Sequence, residues 1–287
     1  MMDPLPTPDR SLALTLDSAF LGFYTHAGFL QGLAEGGCWP AEIAGASAGA
    51  LVGGLVAAGN SPRQVLDLLL SWDFRTAFYE AGMVVGLPFW PIYRRRYSGA
   101  SKGNRILAWL KRHLGDLRLE DTAIPFGIAV TNLSRVRAEV KREGPLAELI
   151  VASCAYPTVL SHQVVEGDAL WDGGIALSPP FIHWLESPTL HHVLAHCIGV
   201  SVVPPALKMG VSDAFALSHD IIGEELFELR RQKMAEAGKT VERVVTPTRR
   251  PKVFITERAG REFFEAGRQN GLRTARTQRD AKTAAHA

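Results

Sequence analysis

At 287 residues the chain is long enough for one large α/β domain or two small ones, with a substantial core in either case. Its 47% hydrophobic and 21% charged content is that of an ordinary globular protein, and a net charge of +2 gives no general case for nucleic-acid binding. The three cysteines, Cys38, Cys154 and Cys197, lie far apart and lack metal-ligand spacing, which argues against a disulfide framework and suits a reducing compartment.

The opening MMDPLPTPDR lacks the charged-then-apolar layout of a secretory signal. No apolar run approaches the ~20 residues needed to span a bilayer, so a soluble cytoplasmic protein is expected. Ser11–Leu16 reads as a first buried strand, and Tyr24–Glu35 as a helix ending at Gly36-Gly37. Glu42–Ala44 is a short strand, followed by an Ala- and Gly-rich helix over Ala48–Ala58. A further helix opens with Ser61 as cap, Pro62 in the first position and Gln64 three residues after the cap. Gly82–Ser98 is irregular, and Ser101–His113 helical. Phe126–Thr131 and Val136–Val140 read as strands, Leu146–Ser153 as a helix stopped by Pro157, and Gln163–Trp171 as a hairpin turning at Glu166-Gly167-Asp168. Val193–Val203 is an apolar strand, Asp213–Ala237 a long helix, and Lys252–Ile255 a strand before the last helix. A single domain is expected over residues 8–265, with a flexible basic tail over 268–287. Strands alternating with helices place the chain in the α/β layered class.

Within the run IAGASAGAL, residues 45–49 read Gly-Ala-Ser-Ala-Gly. Gly-x-Ser-x-Gly is the pattern of a serine held on a sharp strand-to-helix turn, with Gly45 and Gly49 removing side chains that would collide with neighbouring segments. Chance alone produces the pattern in roughly one chain in ten of this length, so context has to decide. Asp172-Gly173-Gly174 follows about 125 residues later. By itself that triplet is a tight turn. Its surroundings are more informative: residues 152–157 read ASCAYP, and residues 172–180 read DGGIALSPP.

Together the three stretches resemble the patatin-like phospholipase family, in the family's order and at its usual intervals, from about Leu12 to Pro180. The resemblance implies a three-layer α/β fold with a mainly parallel central sheet. It also implies a lipid acyl hydrolase that cleaves carboxylic esters with a Ser-Asp pair, Ser47 as nucleophile and Asp172 as base, through an acyl-serine intermediate. A serine hydroxyl is a weak nucleophile until something takes its proton, and an ordinary aspartate is a weak base, so the site must be dry enough to raise the Asp172 pKa. The helix starting at Ala48 offers its N-terminal dipole to a developing oxyanion.

The remaining oxyanion donors are expected from the loop Asp17-Ser18-Ala19-Phe20-Leu21-Gly22, where the family usually has Gly-Gly-Gly-x-Arg/Lys-Gly. Only Gly22 matches, which leaves a lipid-binding pseudoenzyme as one alternative. Acyl transfer from the same acyl-enzyme is a second. The histidines after Asp172 (His183, His191, His192, His196) permit a Ser-Asp-His order, the mechanistic runner-up. His191, His192 and His196 are read as structural or surface residues rather than a metal cluster, and His26 lies in the helix after the loop. No metal or organic cofactor is implied. The resemblance implies a lipid ester or phospholipid as partner; peripheral membrane contact is one reading of the aromatic stretch that follows, and no nucleic-acid partner is expected. Phe89, Trp90, Tyr93 and Tyr97 beside Arg94-Arg95-Arg96 suit a water-lipid boundary, although a packed surface loop is the plainer reading.

Overall fold

The computed structural model of the protein describes residues 5–78, 98–200, 211–249 and 255–286. Most of the irregular aromatic and arginine-rich stretch and nearly all of the expected Lys252–Ile255 strand fall outside these residues.

Strand β1 (Asp9–Leu16) is buried on both faces from Leu12 to Leu16, as a central parallel strand must be when helices cover both sides. It pairs in parallel with β2 (Pro40–Gly45) on one edge and with β9 (His192–Val200) on the other. β2 continues in parallel to β4 (Phe126–Asn132), and β9 to β10 (Thr240–Thr248). Beyond β4 the direction reverses: β5 (Arg137–Lys141) and β8 (Asp168–Asp172) both run antiparallel to it, and β7 (Gln163–Val165) pairs antiparallel with β8. The path β10-β9-β1-β2-β4-β8-β7 with β5 beside β4 makes a mixed, mainly parallel sheet. A separate two-stranded piece joins β3 (Gly99–Ser101) to β6 (Thr158–Leu160).

Residue alternation along β1 explains the three layers. Leu12, Leu14 and Leu16 enter the larger core together with helices α1 (Phe23–Glu35), α2 (Ala48–Ala57), α3 (Pro62–Leu70) and the last helix, α8 (Glu257–His286). Ala13 faces the opposite way, with Ala44, Val193 and Ala195, toward Phe227 and Met234 of α7 (Val211–Glu236). Helices α4 (Trp72–Ala77), α5 (Asn104–Leu114) and α6 (Leu146–Ser153) complete the larger core. The start of α3 carries the expected capping box: Gln64 N–H donates to Ser61 Oγ at 3.2 Å, and Ser61 N–H donates to Gln64 Oε1 at 2.8 Å.

Several features differ from the sequence reading, among them β3, β6 and α4, which it lacked. β10 was absent from it, because Glu242, Arg243 and Pro247 interrupt its apolar pattern. At a sheet edge proline is tolerated, since only one side of the strand must be paired. The expected flexible tail is also corrected: residues 268–286 continue α8. That helix lies against α1 through facing glycines. A Cβ on Gly28 or Gly32 would fall far inside van der Waals contact with the Phe264 or Arg268 carbonyl, and one on Gly267 or Gly271 would strike the Thr25 or Phe29 carbonyl. Among the described residues, no helix is long and apolar enough to cross a membrane.

Candidate active site

Ser47 stands between the end of β2 and the first residue of α2 with φ 51° and ψ −114°, a conformation that costs an L-residue energy and persists only where its surroundings impose it. The flanking glycines show how it is imposed. A Cβ on Gly49 would collide with the Leu16 carbonyl at the end of β1, and one on Gly45 would collide with the backbone of Gly49. The Ala46 N–H donates to that same Leu16 carbonyl at 3.1 Å, closing the turn against the sheet.

Asp172 ends β8 opposite Val130, while Gly45, two residues before Ser47, lies opposite Ile128 on the other side of β4. Asp172 is only 2% exposed. Its Oδ1 accepts from Gly174 N–H at 2.7 Å, and its main-chain carbonyl accepts from Thr131 Oγ1 at 2.9 Å. The Ser47 hydroxyl lies near enough to this carboxylate to lower its pKa. Burial pushes the Asp172 carboxyl up to about 7, against the opposing pull of the Gly174 N–H and the Ser47 hydroxyl. Gly173 is required by close approach, since a Cβ there would overlap the Ala129 carbonyl.

The segment Ala152–Pro157, which carried the resemblance without a role for its residues, clamps both groups. Ser153 Oγ accepts from the Ser47 N–H at 2.9 Å and donates to the Ala129 carbonyl at 2.7 Å. Cys154 Sγ lies 3.3 Å from the Ser47 carbonyl as its donor, and the Ala155 carbonyl accepts from the Asp172 N–H at 3.1 Å. Ser153 ends the helix LAELIVAS, in which Glu148 is the other polar residue, and is fully buried. A buried hydroxyl in that setting needs partners.

The loop from Asp17 to Gly22 starts beside this pair. Ser18 packs so closely on Gly174 that a Cβ there would overlap its hydroxyl. Three of the six N–H groups are taken: Asp17 N–H donates to the His196 carbonyl at 3.1 Å, Ser18 N–H to Asp17 Oδ1 and Ser178 Oγ at 2.7 Å each, and Gly22 N–H to the Ala19 carbonyl at 3.0 Å. Among the described residues, Ala19, Phe20 and Leu21 N–H groups have no acceptor. Ser178 Oγ also donates to Asp17 Oδ1. Burial raises the Asp17 carboxyl, opposed by the Ser178 hydroxyl and the Ser18 N–H, although the residue as a whole is only half-buried. The one left-handed residue in the loop is Leu21, φ 58°, rather than positions 17–19, where the family's glycines would stand. Gly22 has an ordinary φ of −75° and is required by space, because a Cβ would lie 2.5 Å from Ile198 Cδ1 and 2.7 Å from Ala19 Cβ.

Among the described residues, no histidine hydrogen-bonds to Ser47 or Asp172. His26 and His196 are buried in the core against each other, and His192 faces Glu242 across 3.5 Å. No group of three His, Cys, Asp or Glu among the described residues is placed to hold a metal ion.

Comparison with known proteins places this geometry in context. An uncharacterized NTE family protein of Mycobacterium bovis and one of Mycobacterium tuberculosis are each 32% identical to the chain over 168 residues, covering 57% of it and 42% of their own length. The chain therefore spans less than half the length of these curated relatives. The crystal structure of VipD from Legionella pneumophila aligns with a TM-score of 0.49 at 14% identity, covering 94% of this chain and 67% of that one. The type III effector protein ExoU aligns with a TM-score of 0.35 at 13% identity, covering 95% and 54%. The profile of the patatin-like phospholipases matches residues 14–183, from β1 to just beyond the Asp-Gly-Gly turn. With the elbow serine, the buried aspartate and the segment that clamps them all inside that match, the chain belongs to the patatin-like phospholipase family.

Proposed function

We propose that the protein hydrolyses carboxylic esters of lipids, with Ser47 as nucleophile and Asp172 as the base that serves it. The observation carrying this reading is the strained Ser47 beside a buried carboxylate whose pKa is raised to about 7. Ser47 Oγ attacks the ester carbonyl carbon while its proton passes to Asp172. The C–O bond to the alcohol then breaks, and Asp172 returns the proton to the departing oxygen. Water repeats the sequence on the acyl-Ser47, giving the carboxylic acid and free enzyme.

Oxyanion stabilisation is assigned to the Ala48 N–H at the start of α2 and to the Ala19–Leu21 stretch of the loop. The Ser47 N–H is already committed to Ser153. A competent loop is supported by its dihedrals: positions 17–19 do not require glycine, so their side chains are no obstacle to donation by the backbone. Phe20, 65% exposed beside the site, supports contact with aggregated lipid.

The pH dependence tests this reading. Only the ionised Asp172 accepts the Ser47 proton, so kcat/KM on a soluble ester is expected to rise about tenfold per pH unit below 7 and to level off above it. An acid limb centred near the ordinary carboxylate value of 3.8 would contradict a buried base. Stability should run the other way. A carboxyl whose folded pKa is raised contributes fully below 3.8, and that contribution is lost as pH climbs toward 7. Asp172→Asn should abolish this loss, as measured by urea unfolding across the same window.

A further inference from the structure

Four buried polar side chains outside the Ser47–Asp172 pair form one continuous chain. His26 Nε2 lies 2.9 Å from the Asp17 carbonyl, and His26 Nδ1 lies 2.8 Å from His196 Nδ1. His196 Nε2 lies 2.8 Å from Thr246 Oγ1, which accepts from Asn270 Nδ2 at 2.8 Å; that amide also donates to the Val245 carbonyl at 3.1 Å. Both imidazoles are 0% exposed, and no carboxylate among the described residues hydrogen-bonds either ring. Burial holds His26 down at about 4, against the pull of the Asp17 carbonyl, and holds His196 far below its ordinary value.

Two neutral rings leave one arrangement of protons. A carbonyl only accepts, so His26 carries its proton on Nε2 and accepts at Nδ1. His196 must then donate from Nδ1 and accept at Nε2 from the Thr246 hydroxyl. Phe29 stacks on the His196 ring at 3.8 Å and 4°, which fixes its plane.

We infer that His26 is a positioning residue: with His196, Thr246 and Asn270 it forms a one-way hydrogen-bond chain that anchors the root of the 17–22 loop to β10 and α8. The chain acts on a single peptide unit. The Asp17 carbonyl is held by His26, while the Ser18 N–H, on the opposite side of the same peptide plane, is held by Asp17 Oδ1 and Ser178 Oγ. The orientation of that plane sets where Ala19–Leu21 begin, so the aim of their N–H groups depends on residues 246 and 270, far outside the 14–183 match. Such a network in a dry core stabilises little beyond an apolar filling, and its use lies in specifying one geometry. The inference rests on the loop being the source of oxyanion donors.

The test has a spectroscopic arm and a kinetic arm. Long-range ¹H–¹⁵N spectra of the full chain at pH 7 should show His26 as the neutral Nε2–H form and His196 as the neutral Nδ1–H form. A protonated ring, or the opposite tautomer at His26, would overturn the chain. His26→Leu keeps the volume but cannot donate, and should lower kcat on a p-nitrophenyl ester about 10–100-fold with little change in KM, since one misaimed oxyanion donor is worth up to ~10²–10³. His26→Gln, whose amide can both donate and accept, should recover most of that loss. Thr246→Val breaks the chain remotely and provides a milder second variant, expected to lower kcat in the same sense. Folded variants with unchanged kcat would reduce the pair to packing. Ser47→Ala separates the two readings: if it retains activity while the tautomers are as assigned, the proposed chemistry fails. If it is inactive while His26→Leu is unimpaired, only the positioning role fails.

Discussion

Ser47→Ala and Asp172→Asn are each expected to lower ester hydrolysis by roughly 10⁴-fold or more, and the double substitution is expected to lose little beyond either one. The non-additivity follows from the chemistry. Without the Ser47 hydroxyl, Asp172 has no proton to take, and without the carboxylate the hydroxyl stays protonated. Asp172→Asn preserves the shape and an oxygen for the Gly174 N–H, so its effect reports the lost base and not a collapsed turn. Kinetics of the three variants on one soluble ester would decide. Losses that multiplied in the double variant would show two independent contributions, and a mild Asp172→Asn would place the base elsewhere.

The second large effect is on stability. Gly28→Leu in α1 and Gly267→Val in α8 each place a branched side chain where the facing helix has its backbone, and a backbone cannot rotate away as a side chain can. Overpacking of this kind costs about 3 kcal/mol or more. For a chain of this size that corresponds to roughly 6–12 °C in Tm. Gly223→Ala in α7 is the matched control: nothing lies within 4 Å of the added Cβ, so it should be neutral or slightly stabilising by about 0.5–1 kcal/mol. Thermal unfolding of the three variants would test the seam directly. Equal Tm values for Gly28→Leu and Gly223→Ala would mean the two helices are not in contact.

What was legible in the sequence follows the same physics. The Gly45, Ser47 and Gly49 spacing is a pattern confined to five residues, and the Ser61-Pro62-x-Gln64 cap is equally short, so both were readable. Asp172 became readable only through its place after two other motifs. The C-terminal half of the last helix was missed because it buries little large apolar surface there. Its contact with α1 is made by Gly267, Gly271 and Ala275, which read in isolation as a polar, helix-poor tail. The four-residue glycine spacing at Gly28, Gly32 and Gly36, and again at Gly267 and Gly271, was the available signal. Positions 17–19 misled for a related reason: the strained dihedral in that loop sits at Leu21, which nothing in its residue type announces. The roles of Ser153 and Ala155 depend on contacts more than a hundred residues away for Ser47 and across the β8 turn for Asp172, and no local pattern encodes them.

Labelling with a fluorophosphonate, read by peptide mass mapping of the full chain at pH 8, tests the Ser47–Asp172 pairing most directly, because only a serine primed by a base and facing an oxyanion pocket is phosphonylated at a useful rate. A single adduct on Ser47 is expected in the unsubstituted protein, with labelling slowed by orders of magnitude in Asp172→Asn. An adduct on another residue, no adduct at all, or an Asp172→Asn variant labelled on Ser47 as fast as the parent would contradict it.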